Sequence, residues 1–191
     1  MKHIKTLIAV GTAILLVGAQ AEAASGDARL TGTYAMTGSG ACLNAPPYGY
    51  AGNFTFNPAF SYSGSAGFSG TFTFNGRGHG QMDLKEVGIT PPPVPIGLTP
   101  GAAQVNITGP FKYSVANGQV TVRAPNLQEQ ETLGPDKGAT GQIDVIQLAG
   151  LVAADNKSLT LASAQPVLMT TTYPNGAVIY SICWYSFVFL K

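Results

Sequence analysis

Charge is scarce in this chain of 191 residues, with ten Lys and Arg against nine Asp and Glu. Nucleic-acid binding rests on clustered cations that neutralise phosphates. Here Arg29, Arg77, Lys85, Lys112, Arg123, Lys137, Lys157 and Lys191 stand singly, so no nucleic-acid partner is expected. Histidine is rarer still, with only His3 and His79. A catalytic relay needs a histidine held by a partner, whereas His79 sits in Gly76-Arg77-Gly78-His79-Gly80 and reads as an exposed turn residue. That glycine run is no dinucleotide fingerprint, because Gln81 stands where a glycine is required and no helix follows.

One histidine and two cysteines do not make a four-ligand zinc site. Asp155-Asn156-Lys157-Ser158 lacks the spaced acids of a calcium loop. No metal and no cofactor are expected. Glu129 and Glu131 would share a face in an extended segment, and a carboxylate pair can serve glycoside hydrolysis. Gln128, Gln130 and Gly134-Pro135-Asp136-Lys137-Gly138 instead mark the segment as a solvated connection. No catalytic residue is assigned, and the chain is not expected to be an enzyme.

Long hydrophobic runs are absent with one exception. Lys2, His3 and Lys5 precede an apolar stretch from Thr6 to Val17, and Ala21-Glu22-Ala23 supplies small residues at both positions a signal peptidase needs. About 12 apolar residues fall short of the roughly 20 that span a membrane. The expectation is a signal peptide at residues 1–23 and one domain at 24–191, exported to the periplasm or beyond, with an outer-membrane location less favoured. Removing the signal takes Lys2, Lys5 and Glu22 and leaves eight cationic and eight anionic side chains.

A 3.6-residue apolar period with helix caps is missing from the remainder. Period-two alternation takes its place. Phe68, Gly70, Phe72 and Phe74 alternate with Ser69, Thr71 and Thr73, the pattern of a strand with one wet face. Asn75-Gly76, which readily takes the positive φ of a type I′ turn, leads to a return strand over Gly78–Val87. Asn117-Gly118 separates Phe111–Val115 from Gln119–Ala124, and Asn175-Gly176 separates Val167–Tyr173 from Ala177–Leu190. Strands at Leu30–Thr37, Asn53–Asn57, Gln142–Val152 and Ser158–Ala162 complete the set. The fold class expected is all-β: an antiparallel up-and-down meander of about eight to ten strands. Closure into a barrel would remove its two unpaired edges.

Cysteine is limited to Cys42 and Cys183. An even count in an exported chain points to a disulfide, and this pair would join the region just past the first strand to the last strand. Aromatic residues crowd between Tyr48 and Phe74. Phe54, Phe56, Phe68, Phe72 and Phe74, facing inward, are the candidate lining for one small apolar ligand. Alternation alone does not separate a hollow barrel from a filled one. The proline-rich stretch Thr90–Ala103 reads either as a cap over one barrel end or as a surface connection.

Gly32-Thr33-Tyr34, then Gly40-Ala41-Cys42-Leu43, then Phe72-Thr73-Phe74-Asn75-Gly76-Arg77-Gly78-His79-Gly80, with a terminal strand containing Cys183, resembles small exported bacterial β-barrel proteins of uncharacterised function. Their outline is similar to lipocalin-like or calycin barrels. The resemblance covers most of the chain after the signal and implies a barrel, without implying site residues. Two alternatives stand beside a ligand-binding barrel. One is an outer-membrane barrel, suggested by the strand number and the apolar ending Ala177–Leu190. The other is a surface or structural subunit without a ligand. The residues fix neither membrane association nor oligomeric state.

Overall fold

The computed structural model describes residues 26–45, 55, 61–92, 100–163, 165–172, 176 and 178–191. A single 3-10 turn, Gly26–Arg29, leads into nine strands: β1 (Thr31–Asn44), β2 (Tyr62–Asn75), β3 (His79–Thr90), β4 (Gly101–Ala116), β5 (Gln119–Leu133), β6 (Thr140–Val152), β7 (Ser158–Ala162), β8 (Val167–Thr172) and β9 (Val178–Leu190). Strands β1 to β6 each pair antiparallel with the next, β7 and β8 both pair with β9, and β9 returns to pair with β1. The expected meander therefore closes into a barrel.

Strands β7 and β8 lie end to end between β6 and β9. The first pairs with Ser186–Leu190 and the second with Val178–Cys183, so together they make one interrupted stave of an eight-stave barrel. At the interruption, Ser163 donates its N–H to the Tyr185 carbonyl, and its Oγ accepts the Tyr185 N–H, both at 3.0 Å.

Cys42 and Cys183 face each other in the β1–β9 register, their Cα atoms 4.1 Å apart, and form a disulfide. Cys42 lies inside β1 rather than past it. Gly38 and Gly40 look like strand breakers, since glycine adds no packing, but both serve a close approach. A Cβ at Gly38 would strike the Phe187 ring and the Ser186 carbonyl. Pairing with β2 and β9 on both sides carries the strand through.

The turns divide. Asn117 and Gly118 form a two-residue loop with φ of 53° and 79° between the paired Ala116 and Gln119, as a type I′ turn requires. Asn75-Gly76 does not. Pairing resumes only at Phe74↔Gly80, and Asn75 Oδ1 accepts the N–H groups of Arg77 and His79 at 2.8 and 3.1 Å. This is the side-chain-to-backbone capture that asparagine favours in turns. Of the third dipeptide, Gly176 has a φ of 83°, while Asn175 lies outside the described residues.

The expected solvated connection at Gln128–Glu131 is instead part of β5. Asn126 takes a φ of 55°, and the extra residue reverses which positions face inward. Val120, Val122 and Ala124 are buried before it; Leu127 is buried after it. The expected strand at Asn53–Asn57 falls, apart from Thr55, outside the described residues. Of the proline-rich stretch, Gly101–Ala103 belongs to β4, and residues 93–99 lie outside the described residues.

One end of the barrel is packed solid. Phe72, Phe74, Phe111 and Phe189 are buried there with Tyr34 and Tyr113, their ring centroids commonly 5 Å apart and edge-on: 5.3 Å for Tyr34–Phe74, 5.1 Å for Phe74–Phe111 and 4.9 Å for Phe72–Phe189. Such pairs add about 0.5–1.5 kcal/mol each beyond area burial. The 3-10 turn and the fully buried Leu30 stop this end. Tyr113 Oη lies 2.9 Å from the Leu30 carbonyl and 3.0 Å from that of Asp27, and Asp27 Oδ1 accepts the Val115 N–H at 2.7 Å. Tyr34 donates to the Asn156 carbonyl at 2.6 Å, and Arg29 Nε donates to Asn156 Oδ1 at 2.9 Å. The polar tips of the core rings are thus satisfied by the plug and the β6–β7 turn.

A candidate ligand cavity in the hollow half

Toward the other end the inward positions shrink. Gly40 on β1, Gly64 and Ala66 on β2, and Gly88 on β3 contribute almost no volume, and a cavity of about 200 Å³ opens among them. Phe68, Phe72 and Phe187 bound it toward the packed half, and Leu84, Ile107, Ile143, Leu148 and Met169 supply apolar wall. An eight-stranded barrel is just wide enough either to fill with side chains or to hold one small ligand. This one does the first at one end and leaves room at the other.

The five phenylalanines expected to line a ligand site separate. Phe54 and Phe56 lie outside the described residues. Phe68 borders the cavity and meets Tyr185 and Phe187 edge-on at 5.7 and 5.5 Å. Phe72 forms part of the floor while packing on Phe111 at 5.0 Å. Phe74 is away from the cavity, between Tyr34, Phe111 and Tyr113 in the packed half. His79 is exposed, as its turn position implies.

Two carboxylates line the cavity: Glu86, which the sequence reading passes over, and Glu129, which it weighs with Glu131 and sets aside as part of a solvated connection. Glu86 follows Met82 and Leu84 on the inner face of β3, so parity alone could have found it. Glu129 faces inward because of the Asn126 irregularity, which no alternation count detects. The Glu129 carboxyl lies over Gly141, where a Cβ would come within 2.7 Å of Oε1. Burial, and secondarily the charge of Glu129, push the Glu86 carboxyl up from 4.5 to about 7. Glu131 turns aside, its Oε1 accepting the Asp136 N–H at 2.9 Å.

The remaining polar groups are phenols, hydroxyls and an amide. Tyr185 Oη contacts Met169 Sδ at 3.0 Å and lies 3.8 Å from Cys42 Sγ. Burial foremost, then the Glu86 and Glu129 charges, raise its phenol above the ordinary range. Tyr62 is raised first by burial, then by Asp136 and Glu129. Ser181 donates to Asn44 Oδ1 at 2.7 Å. Among the described residues no group of three or more His, Cys, Asp or Glu could hold a metal ion.

Neither protein-family models nor curated proteins give a match to this chain. The likeness to lipocalin-like barrels therefore rests on outline, and the closed antiparallel barrel is consistent with it.

Proposed function

We propose that this protein is an exported, non-catalytic barrel that binds one small, largely apolar molecule in its hollow half. The carrying observation is the abrupt change of inner side-chain volume along the same staves. Rings fill one end, and glycines hold open about 200 Å³ at the other. An engineered apolar cavity of about 150 Å³ accepts benzene, so the ligand class is a single ring or a short chain. The disulfide suits an oxidising, extracellular or periplasmic setting, and with the signal-like residues 1–23 it supports export. The outer face of β2 carries Ser63, Ser65, Ser69, Thr71 and Thr73, and that of β3 carries Gln81, Asp83 and Lys85 before Val87 and Ile89. On β2 and the first half of β3, a polar outer face over an apolar inner one is the reverse of a lipid-facing strand.

The test is ligand-observed NMR with neutral probes, benzene and 2-phenylethanol, against the wild type and Gly64→Leu. A Cβ at Gly64 has nothing nearer than 3.6 Å, so a leucine there enters the cavity. Saturable binding lost in Gly64→Leu supports the reading; no binding to the wild type overturns it.

A surface-subunit role is the second reading, favoured by an outward apolar stripe on β9. Trp184, Val188 and Leu190 are 52%, 46% and 62% exposed. A concentration-independent monomer in analytical ultracentrifugation removes self-association through that stripe.

A further inference from the structure

We propose that the hollow half selects a protonated amine carried on a small apolar body, with the Glu86 carboxylate as its counter-ion. This rests on the ligand-binding reading above and adds the chemistry of the ligand's polar end.

The first observation is a charge imbalance inside the barrel. Among the described residues, Glu86 and Glu129 border the cavity, and no Lys, Arg or His does. The cations of the neighbouring strands, Lys85, Lys112 and Arg123, point outward and are exposed. The titratable groups that border the cavity with Glu86 are Glu129 from β5, Tyr62 from β2 and Tyr185 from β9; opposite Glu86 stand Phe68 on β2 and Val105 on β4. Each of these groups either carries negative charge when ionised or carries none.

The second observation is independent of the first. Glu86 is half-buried at the cavity wall, and among the described residues its carboxyl makes no hydrogen bond or ion pair. It leans along its own strand toward Gly88, where a Cβ would lie 3.2 Å from Oε1, and both residues border the cavity. A partly desolvated acid without a partner is disfavoured as a carboxylate, and burial first, then the Glu129 charge, pushes this carboxyl up to about 7. An ammonium group entering the cavity supplies the missing donor and charge, and charge-assisted hydrogen bonds are roughly twice as strong as neutral ones. An anionic ligand would instead meet two carboxyl groups and, among the described lining residues, no cation.

The probes are three molecules with the same ring: phenethylamine, 2-phenylethanol and phenylacetate. At pH 8 phenethylamine should bind about tenfold or more tighter than 2-phenylethanol, and phenylacetate weakest. Glu86→Gln, which keeps the side chain's shape, should bring the amine to within about threefold of the alcohol. Lowering the pH from 8 to 5.5 protonates Glu86 while the amine stays charged, so the wild type should lose about tenfold of the amine's advantage. If phenylacetate or the alcohol binds as tightly as the amine, or the amine's advantage survives both Glu86→Gln and pH 5.5, the amine assignment is overturned while the ligand cavity stands. If none of the three binds, both fall.

Discussion

The two halves of this barrel share their backbone and differ in what points inward. At the closed end Tyr34, Phe72, Phe74, Phe111, Tyr113 and Phe189 interlock. Along those same staves β1 presents Gly40, β2 presents Gly64 and Ala66, and β3 presents Glu86 and Gly88. Strand number sets the diameter, but side-chain volume decides whether that diameter is core or container. The packed half also satisfies its polar atoms within itself, through Tyr113 on the 3-10 turn and Tyr34 on Asn156. In the hollow half Glu86 has no such bond among the described residues.

The contrast can be broken first at the disulfide, which fastens β1 to β9 in the hollow half. Closing a loop of 141 residues contributes about 5 kcal/mol in the chain-entropy model. Urea unfolding with and without reductant should show most of that loss, and a difference under about 1 kcal/mol would mean the strand ladder alone holds this end. Next, Phe111→Ala should cost about 3–5 kcal/mol, while Leu84→Ala, already bordering space, should fall near the lower bound of about 2 kcal/mol. Equal costs by chemical denaturation would erase the distinction between packed and hollow.

The third test turns on pH. A carboxyl raised in the folded state favours folding when protonated, so its contribution is complete below 4.5 and is lost as pH rises through about 7. Glu86→Gln should therefore unfold at the same temperature as the wild type near pH 4 and be more stable at pH 8, by about 2–3 kcal/mol. Thermal melts of both proteins across that range check the sign, and a less stable variant at pH 8 would show that the carboxylate is well solvated. The smallest effect belongs to Gly64→Leu, expected to shift stability by less than about 1 kcal/mol while abolishing probe binding. A large destabilisation would mean the apparent space is already needed.

Much of the barrel was legible because alternation and closure leave direct traces. Phe68, Phe72 and Phe74 mark one face of β2, Asn117-Gly118 marks a tight turn, and two cysteines mark the strands that meet. Strand lengths were harder. Gly38 and Gly40 look like breaks when read locally, and only the Phe187 ring opposite Gly38 explains the glycine. The candidate site was less legible than the fold. Aromatic content drew attention to the rings, yet the space lies where rings stop and glycines begin. Glu129 reads with Glu131 as part of a solvated connection; its inward facing was hidden by Asn126, whose effect depends on backbone geometry rather than residue type.

The interrupted stave has a consequence for sequence change. Between Ala162↔Ser186 and Val167↔Cys183, one side holds four residues and the other two. The surplus is even, so Leu159 and Leu161 below the break and Val167 and Thr171 above it are all buried. Removing a single residue from 163–166 would turn β8 over, sending Leu168 inward and Thr171 out. Removing two would keep the facing. Tolerance to deletion here should follow odd and even numbers rather than the size of the cut.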